Sequence, residues 1–310
     1  MVFQGWKDKM SKIFREKWLE SVERKNSVLC AGLDPAEYEM GRENEGLPED
    51  VNKYTWALDY INAVAPFCAA IKPNTQYWKG RYDSENLRKV ISYAKELDLV
   101  VIDDSKLADI GSTNDAEMFY SKEMGADAIT LAPYAGNMEE TVRQAHEREI
   151  GVITMCLMSN PEYEREKDML VHLSREEQKE YEHDDLIYFD GLGTNVYVQR
   201  YIHLAHNANK FGLDGVVIGA PSSKNHIKKE EISKVRSYVD DNMLVLLPGA
   251  GKQGGEAGSI WGSFDKTSVI VNVSRGLMFP NGSNSSSKSH KEAAKYYRDM
   301  LNELRNVYHK

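Results

Sequence analysis

Three charged residues, Asp104, Lys106 and Asp109, follow one apolar run in the pattern D-x-K-x-x-D. The run Leu99–Ile102 is rich in β-branched residues, which is typical of a buried strand. Side chains alternate faces along a strand, so we expect Asp104 and Lys106 to point the same way. Asp109 lies beyond the strand end, on the turn into the next helix. Charged residues are costly to bury in a core, but they are common in the active sites at the carboxyl ends of strands. The alternative is a salt bridge that only ties the strand to its loop.

Polar residues also end most of the other predicted strands. They are Asp34 after the first strand, Lys72 after the second, Ser159 after the fifth, the Gly-rich run 248–255 after the seventh and Ser274-Arg275-Gly276 after the eighth. Any one of them could be a capping group, but together they indicate a site for a polar ligand. The last two clusters favour a phosphate-binding site, because glycines let backbone N–H groups approach an anion closely. Gln253 can donate an amide hydrogen bond to the phosphate, and Arg275 can donate a pair of charge-assisted hydrogen bonds.

The elements that must position these residues alternate between strand and helix. Short β-rich runs predict strands at Val28–Asp34, Phe67–Lys72, Leu99–Lys106, Ala128–Pro133, Gly151–Met158, Gly215–Ala220, Met243–Pro248 and Ser268–Ser274. Helix-period stretches include Asn52–Ala65, Ser84–Leu97, Asn137–Glu149, Lys229–Asp241 and Lys291–Tyr308. The stretch Ser112–Asp115 resembles a capping box at the start of the helix after the third strand. Eight βα units, with no G-x-G-x-x-G after the first strand, predict an α/β fold that closes as a (β/α)8 TIM barrel rather than a dinucleotide-binding sheet.

We expect a single domain over residues 1–310, with an N-terminal helix over residues 1–24. Two segments interrupt the alternation. Residues 160–195 form a charged insertion after the fifth strand, which is either a lid over the active-site face or a solvated insertion without a role. Residues 280–290 are rich in Asn, Ser and Gly and predict a flexible connection before the last helix.

Composition excludes several classes of protein. Lys and Arg number 39 against 48 Asp and Glu, a net charge of −9, and the basic residues are scattered, so no nucleic-acid partner is expected. The apolar runs are too short for a membrane span, and the N-terminus lacks a signal-peptide apolar block. Three cysteines in apolar runs favour a reduced, cytoplasmic protein over a nucleophilic thiol. The eight histidines show no metal-ligand spacing, so no metal is expected.

The ordered set of motifs resembles the orotidine 5′-monophosphate decarboxylase family, and its longer-chain branch in particular. From about residue 27 to 280 the matching segments are Cys30-Ala-Gly-Leu-Asp-Pro35, Ile71-Lys72-Pro73, Asp104-Ser-Lys-Leu-Ala-Asp-Ile-Gly-Ser-Thr113, Met158-Ser-Asn-Pro161, Pro248-Gly-Ala-Gly-Lys-Gln-Gly254 and Ser274-Arg275. The D-x-K-x-x-D-I-x-x-T string is quite specific, and P-G-x-G-x-Q-G downstream makes a chance match improbable. The resemblance implies decarboxylation of orotidine 5′-monophosphate to uridine 5′-monophosphate in pyrimidine biosynthesis, without metal, flavin or pyridoxal.

The resemblance also implies roles for the catalytic residues. Lys106 would protonate the sixth carbon of the pyrimidine as carbon dioxide leaves. Asp104 would lie beside the substrate carboxylate, and Lys72 would bridge the aspartates and the ribose. Asp109 and Thr113 would reach into the neighbouring subunit's site, so the resemblance implies a homodimer with shared sites.

The remaining implied roles concern substrate binding. Asp34 would bind a ribose hydroxyl and Ser159 the amide edge of the pyrimidine. Gln253, Gly254 and Arg275 would hold the phosphate. Some family members place a tyrosine near the phosphate in the loop after strand seven, but residues 253–260 contain none.

Two rival functions remain open at this point. A related branch of sugar-phosphate decarboxylases carries the same D-x-K-x-x-D string, requires magnesium and has an acidic residue on the second strand. Here that strand ends in Lys72, which favours the pyrimidine substrate. A catalytically silent barrel that only binds a nucleotide is the other alternative, although such a module has little use for a lysine held between carboxylates.

Overall fold

Eight parallel strands close into a barrel within the part of the chain that the computed structural model describes, residues 2–190, 195–250 and 257–308, with side chains described from residue 13 onwards. The strands of the chain are β1 (Leu29–Leu33), β2 (Ala70–Pro73), β3 (Val100–Leu107), β4 (Ala128–Leu131), β5 (Gly151–Leu157), β6 (Leu170–His172), β7 (Ile187–Tyr188), β8 (Val196–Gln199), β9 (Gly215–Ile218), β10 (Leu244–Pro248) and β11 (Val269–Val273). Around the barrel the order is β1-β11-β10-β9-β5-β4-β3-β2. The predicted (β/α)8 TIM barrel is therefore confirmed.

Helices connect the barrel strands and cover its outer face. They are α1 (Val2–Lys25), α2 (Lys53–Val64), α3 (Asp83–Glu96), α4 (Gly111–Met124), α5 (Met138–His146), α6 (Tyr163–Lys167), α7 (Arg200–Phe211), α8 (Lys229–Ser237), α9 (Arg275–Met278) and α10 (Ser287–Val307). Short 3-10 helices lie at Tyr38–Met40, Glu43–Glu45, Thr75–Tyr77, Pro133–Ala135, Glu177–Glu180, His183–Asp185 and Ala257–Gly262. None of the helices among the described residues is both long and apolar enough to cross a membrane.

The barrel strands lie where the apolar runs predict them, and the differences are at their ends. The run Phe67–Lys72 contains strand only from Ala70, because Phe67 N–H donates to Val64 O in the turn that ends α2. The barrel strands are fully buried along most of their length, as expected for a parallel sheet covered by helices.

Two helix starts differ from expectation. The capping box at Ser112–Asp115 is wrong, since α4 begins at Gly111 and Ile110 takes the N-cap position without a side-chain hydrogen bond. Gly111 has φ +58°, a left-handed conformation that glycine adopts at little cost, and this lets the chain turn directly into the helix. The last helix begins at Ser287, before the predicted Lys291, because Ser286 provides the N-cap oxygen.

The insertion after β5 is folded and attached to the barrel wall. It carries α6 and a small antiparallel sheet of order β6-β8-β7. Lys167, nearly fully buried, pairs with Glu231 of α8, and the Tyr238 hydroxyl donates to Asp185 across 2.7 Å. These contacts join the insertion to the helices around β9. Both interpretations of this insertion, a lid over the site or a segment without a role in it, stay predictions.

Helix α1 closes the amino-terminal end of the barrel. A Cβ on Gly151, at the start of β5, would lie 2.6 Å from the Phe14 ring, so glycine there lets the helix pack directly on the strand. Trp18 Nε1 donates to the Thr267 carbonyl across 2.7 Å, before β11. The charged residues that end the strands lie at the opposite, carboxyl end of the barrel.

Candidate active site

A cavity of about 290 Å³ lies at the carboxyl ends of the strands β1, β2, β3, β10 and β11. It is lined by Asp34, Arg42, Glu45, Lys72, Tyr77, Asp104, Lys106, Pro248, Gly249, Asn272, Val273, Ser274, Arg275, Gly276 and Met278. Parallel strands bring their carboxyl ends to one edge, which is why residues far apart in sequence meet here. Five residues predicted from their strand ends are thus brought into one cavity: Asp34, Lys72, Asp104, Lys106 and Arg275.

Asp104 lies between two lysines at the floor of this cavity. Its Oδ2 accepts a hydrogen bond from the Lys72 ammonium, and its Oδ1 accepts one from Lys106 Nζ at 2.6 Å. Lys72 and Asp104 are buried, while the Lys106 side chain keeps 40% of its surface exposed. Lys106 therefore has the freedom to meet a ligand in the cavity, whereas Lys72 is held in place.

An irregularity at the end of β3 sets the position of Lys106. The pairing between β3 and β4 shifts register between Asp103 and Leu107, and Lys106 has φ +53°, which is costly for a residue other than glycine. Lys106 N–H donates to Thr130 Oγ1 at 2.9 Å, and the same hydroxyl donates to Asp104 Oδ1 at 3.1 Å. Strand alternation predicted that Asp104 and Lys106 share a direction, but Thr130 was missed. The signal for it was a hydroxyl near the carboxyl end of an otherwise apolar strand.

The charges of the buried pair stabilise one another. Burial on its own lowers the pKa of Lys72, but the carboxylates of Asp104 and Asp34 outweigh it and raise that pKa above its usual value. Burial likewise acts to raise the pKa of Asp104, but the ammonium groups of Lys72 and Lys106 hold it well below its usual range. Asp104 and Lys72 are therefore both ionised at neutral pH.

The neighbouring Asp103 has the opposite environment. It is buried on the other face of β3, where its Oδ2 accepts a hydrogen bond from Ser121 Oγ at 2.6 Å. Burial raises the pKa of Asp103 to about 7, and the Ser121 hydroxyl only partly offsets this effect. The pKa values of two adjacent aspartates thus shift in opposite directions, because one carboxylate faces lysines and the other is buried against a helix.

Asp34 has an acceptor available for a ligand. Its Oδ1 is buried and has no hydrogen-bond partner among the described residues. The same is true of Asn272 Oδ1, on β11, which sequence reasoning missed because Asn272 lies inside the apolar strand pattern. A ligand hydroxyl or N–H group in the cavity would satisfy both atoms.

Arg275 lies at the outer end of the cavity, where it pairs with a carboxylate. Its Nη1 is 2.9 Å from Glu45 Oε2, in the 3-10 turn after β1. Sequence reasoning missed Glu45 and its neighbour Arg42 because they lie in a loop with no regular pattern. Gln253 and Gly254, the other predicted phosphate contacts, lie outside the described residues.

Asp109 and Thr113 lie outside this cavity, on an exposed part of the chain. They line an adjacent cavity of about 710 Å³ that Lys106 also borders, and Asp109 Oδ1 accepts a hydrogen bond from the backbone of Ile110 at 2.8 Å. Nearby, Ile110 and Tyr120 are more than half exposed. This exposure is compatible with residues that act in a second subunit, but the homodimer stays a prediction.

Ser159 lies after β5, which is opposite β1 in the barrel. It packs on Gly219, where a Cβ would come within 2.6 Å of Ser159 Cβ. Among the described residues, no group of three or more His, Cys, Asp or Glu side chains is placed to hold a metal ion. All three cysteines are buried and free, and burial raises the pKa of Cys30 and Cys156 to about 12.

The fold and the site together define a class, a (β/α)8 barrel with a Lys-Asp-Lys cluster at the carboxyl ends of its second and third strands. The model of the orotidine 5′-phosphate decarboxylase / HUMPS family matches residues 27–279, and the chain belongs to that family. This membership confirms the resemblance carried by the motifs and the prediction of a carboxy-lyase.

Individual relatives agree over nearly the whole chain. It is 30% identical over 306 residues to "Orotidine 5′-phosphate decarboxylase" of Ralstonia pickettii (strain 12J), covering 94% of this chain and 99% of the relative. Identity to the protein of the same name from Bordetella avium (strain 197N) is 27% over 302 residues, with 94% and 99% covered. The solved structure of a putative orotidine-monophosphate-decarboxylase from Toxoplasma gondii superposes with a TM-score of 0.74 at 22% identity, covering 96% of this chain and 98% of that one.

Proposed function

We propose that this chain decarboxylates orotidine 5′-monophosphate to uridine 5′-monophosphate, a step of pyrimidine biosynthesis. The observation that carries the proposal is the Lys72–Asp104–Lys106 cluster, in which a buried carboxylate holds two ammonium groups at the floor of the cavity. Two relatives that match almost the whole chain carry the name of this activity, orotidine 5′-phosphate decarboxylase.

The proposed chemistry needs an acid at one carbon. When the carbon–carbon bond to the carboxylate breaks, the electron pair stays on the sixth carbon of the ring and carbon dioxide leaves. The Lys106 ammonium stabilises that carbanion and then transfers its proton to it, becoming a neutral amine that regains a proton from water. The 40% exposure of the Lys106 side chain leaves room for the ring to approach.

Asp104 acts on the other side of the reacting bond. A substrate carboxylate about 4 Å from Asp104 would be repelled by roughly 4 kcal/mol at an effective dielectric constant of 20. Loss of carbon dioxide relieves that repulsion, so it favours the transition state over the bound substrate. Lys72 keeps Asp104 ionised and in position, because the two are buried together.

Substrate binding uses the remaining cavity residues. Asp34 accepts a ribose hydroxyl with its unpartnered oxygen, and Arg275 binds the phosphate. Gln253 and Gly254, outside the described residues, and Ser159, which does not line the cavity, take the roles that the resemblance implies: Gln253 and Gly254 at the phosphate and Ser159 at the pyrimidine amide. In this proposal the enzyme is a cytoplasmic homodimer, in which Asp109 and Thr113 complete the site of the partner subunit. No cofactor takes part in the proposed reaction.

The test follows the absorbance of orotidine 5′-monophosphate with purified protein in excess EDTA. Rapid loss of the substrate signal supports the proposal. If the absorbance does not fall, and the protein decarboxylates a sugar-phosphate acid only when magnesium is added, the rival activity is the correct one. Binding of uridine 5′-monophosphate without either reaction would identify a silent nucleotide-binding barrel.

A further inference from the structure

The loop after β1 brings two charged side chains to the phosphate end of the cavity. Arg42 and Glu45 both line the cavity together with Arg275. The loop is tied down at its tip, because Ser283 Oγ donates to the Glu43 carbonyl across 2.6 Å. Glu43 itself has φ +38°, an uncommon backbone conformation for this residue type.

The two arginines at this end differ in their partners. Arg275 is neutralised by Glu45 at 2.9 Å, in a pair whose side chains are each about one-third exposed. Arg42 makes no ion pair with any described residue, and its guanidinium lies 5.5 Å from the centroid of the Tyr77 ring. Tyr77 also lines the cavity, so this contact holds the Arg42 charge beside it.

A phosphate monoester carries nearly two negative charges at neutral pH, so one arginine already paired with a carboxylate is a weak receptor for it. We propose that Arg42 is a second phosphate-binding residue and that Glu45 is the resident partner of Arg275, which the incoming phosphate displaces. The inference rests on the proposed function and deepens it, since it names how the site selects a nucleotide over a nucleoside. Arg275 then offers its full charge to the phosphate only when Glu45 has moved away from it.

The experiment measures equilibrium dissociation constants for uridine 5′-monophosphate and uridine by calorimetry. Arg42→Ala should weaken nucleotide binding by about tenfold or more, as expected for loss of one charge-assisted contact, and should change the affinity for uridine little. Arg81→Ala is the matched control, because Arg81 is also exposed, lies 5.3 Å from the ring centroid of a tyrosine, Tyr82, and does not line this cavity. Glu45→Gln should strengthen nucleotide binding, because it removes the competing carboxylate.

Several outcomes would overturn the inference. Equal nucleotide affinity in Arg42→Ala and Arg81→Ala would remove Arg42 from the phosphate site, and an equal loss for uridine would mean that the substitution only disturbs the loop. Weaker nucleotide binding in Glu45→Gln would contradict the displacement. Turnover of orotidine 5′-monophosphate by the unsubstituted protein is measured in parallel, so failure of the proposed function is read separately from failure of the inference.

Discussion

Replacing Asp104 by asparagine removes the negative charge that two lysines share. Asp104 is buried and accepts hydrogen bonds from Lys72, Lys106 and Thr130. The amide keeps the size of the side chain but leaves the buried Lys72 ammonium without its main partner. We therefore expect Asp104→Asn to lower the free energy of unfolding as well as the activity.

The size of the stability loss follows from the burial of the pair. Breaking a buried ion pair from one side costs about 3–5 kcal/mol. Lys72 retains the attraction of Asp34, and the cavity admits water, so the lower end of that range applies. With a shift of about 2 °C per kcal/mol, which holds for larger domains, a loss of about 3 kcal/mol lowers Tm by roughly 6 °C at neutral pH.

Asp103→Asn is the matched control, one residue away on the same strand. Because burial raises the pKa of Asp103 to about 7, the folded protein binds a proton there that the unfolded chain has already lost. The native Asp103 therefore lowers stability progressively between about pH 4 and pH 7, and the loss levels off above pH 7. Asp103→Asn should accordingly gain stability relative to the unsubstituted protein over that range.

Asp104 gives the opposite pH dependence. The pKa of Asp104 is depressed in the folded state, so its stabilising contribution is complete above the unfolded pKa of about 4 and is lost as the pH falls towards its folded pKa. The penalty of Asp104→Asn should therefore be constant from pH 5 to 8 and shrink only in acid. Thermal unfolding followed by circular dichroism across this range measures both variants. Equal Tm changes for the two substitutions, or an unchanged Tm for Asp104→Asn at pH 7, would refute the assignment of charges.

Two further predictions concern the ligand and the assembly. Arg275→Ala should weaken the binding of uridine 5′-monophosphate by about tenfold or more and the binding of uridine much less. Equal losses of affinity for the two ligands in calorimetry would contradict the phosphate role of Arg275. Mixing inactive Asp109→Ala and Lys106→Ala subunits should recover part of the activity, because a mixed dimer contains one site with both residues intact. Absence of recovery, with subunit exchange verified by mass spectrometry, would exclude shared sites.

The sequence predicted the parts of the fold that depend on periodic patterns. Apolar runs located all eight barrel strands, and their polar ends located Asp34, Lys72, Asp104 and Arg275 because parallel strands end at one edge. The start of α4 was wrong because a left-handed glycine, Gly111, rather than a side-chain cap, turns the chain into that helix.

Tertiary contacts account for what the sequence did not predict. Thr130 is one hydroxyl in an apolar strand, and only the pairing of β3 with β4 places it beside Asp104. Arg42 and Glu45 come from a loop whose position depends on contacts with residues more than two hundred positions away, such as Ser283 and Arg275. The pKa of Asp103 depends on a burial that its sequence neighbours do not reveal.

Turnover of orotidine 5′-monophosphate by Lys106→Ala is the measurement that tests the central claim most directly. The control is Lys89→Ala, which removes an exposed lysine paired with Glu85 on helix α3. We expect the Lys106 variant to lose activity by at least about a hundredfold while it still binds uridine 5′-monophosphate, and the Lys89 variant to retain the full rate. A Lys106→Ala rate equal to that of Lys89→Ala would contradict the assignment of Lys106 as the proton donor.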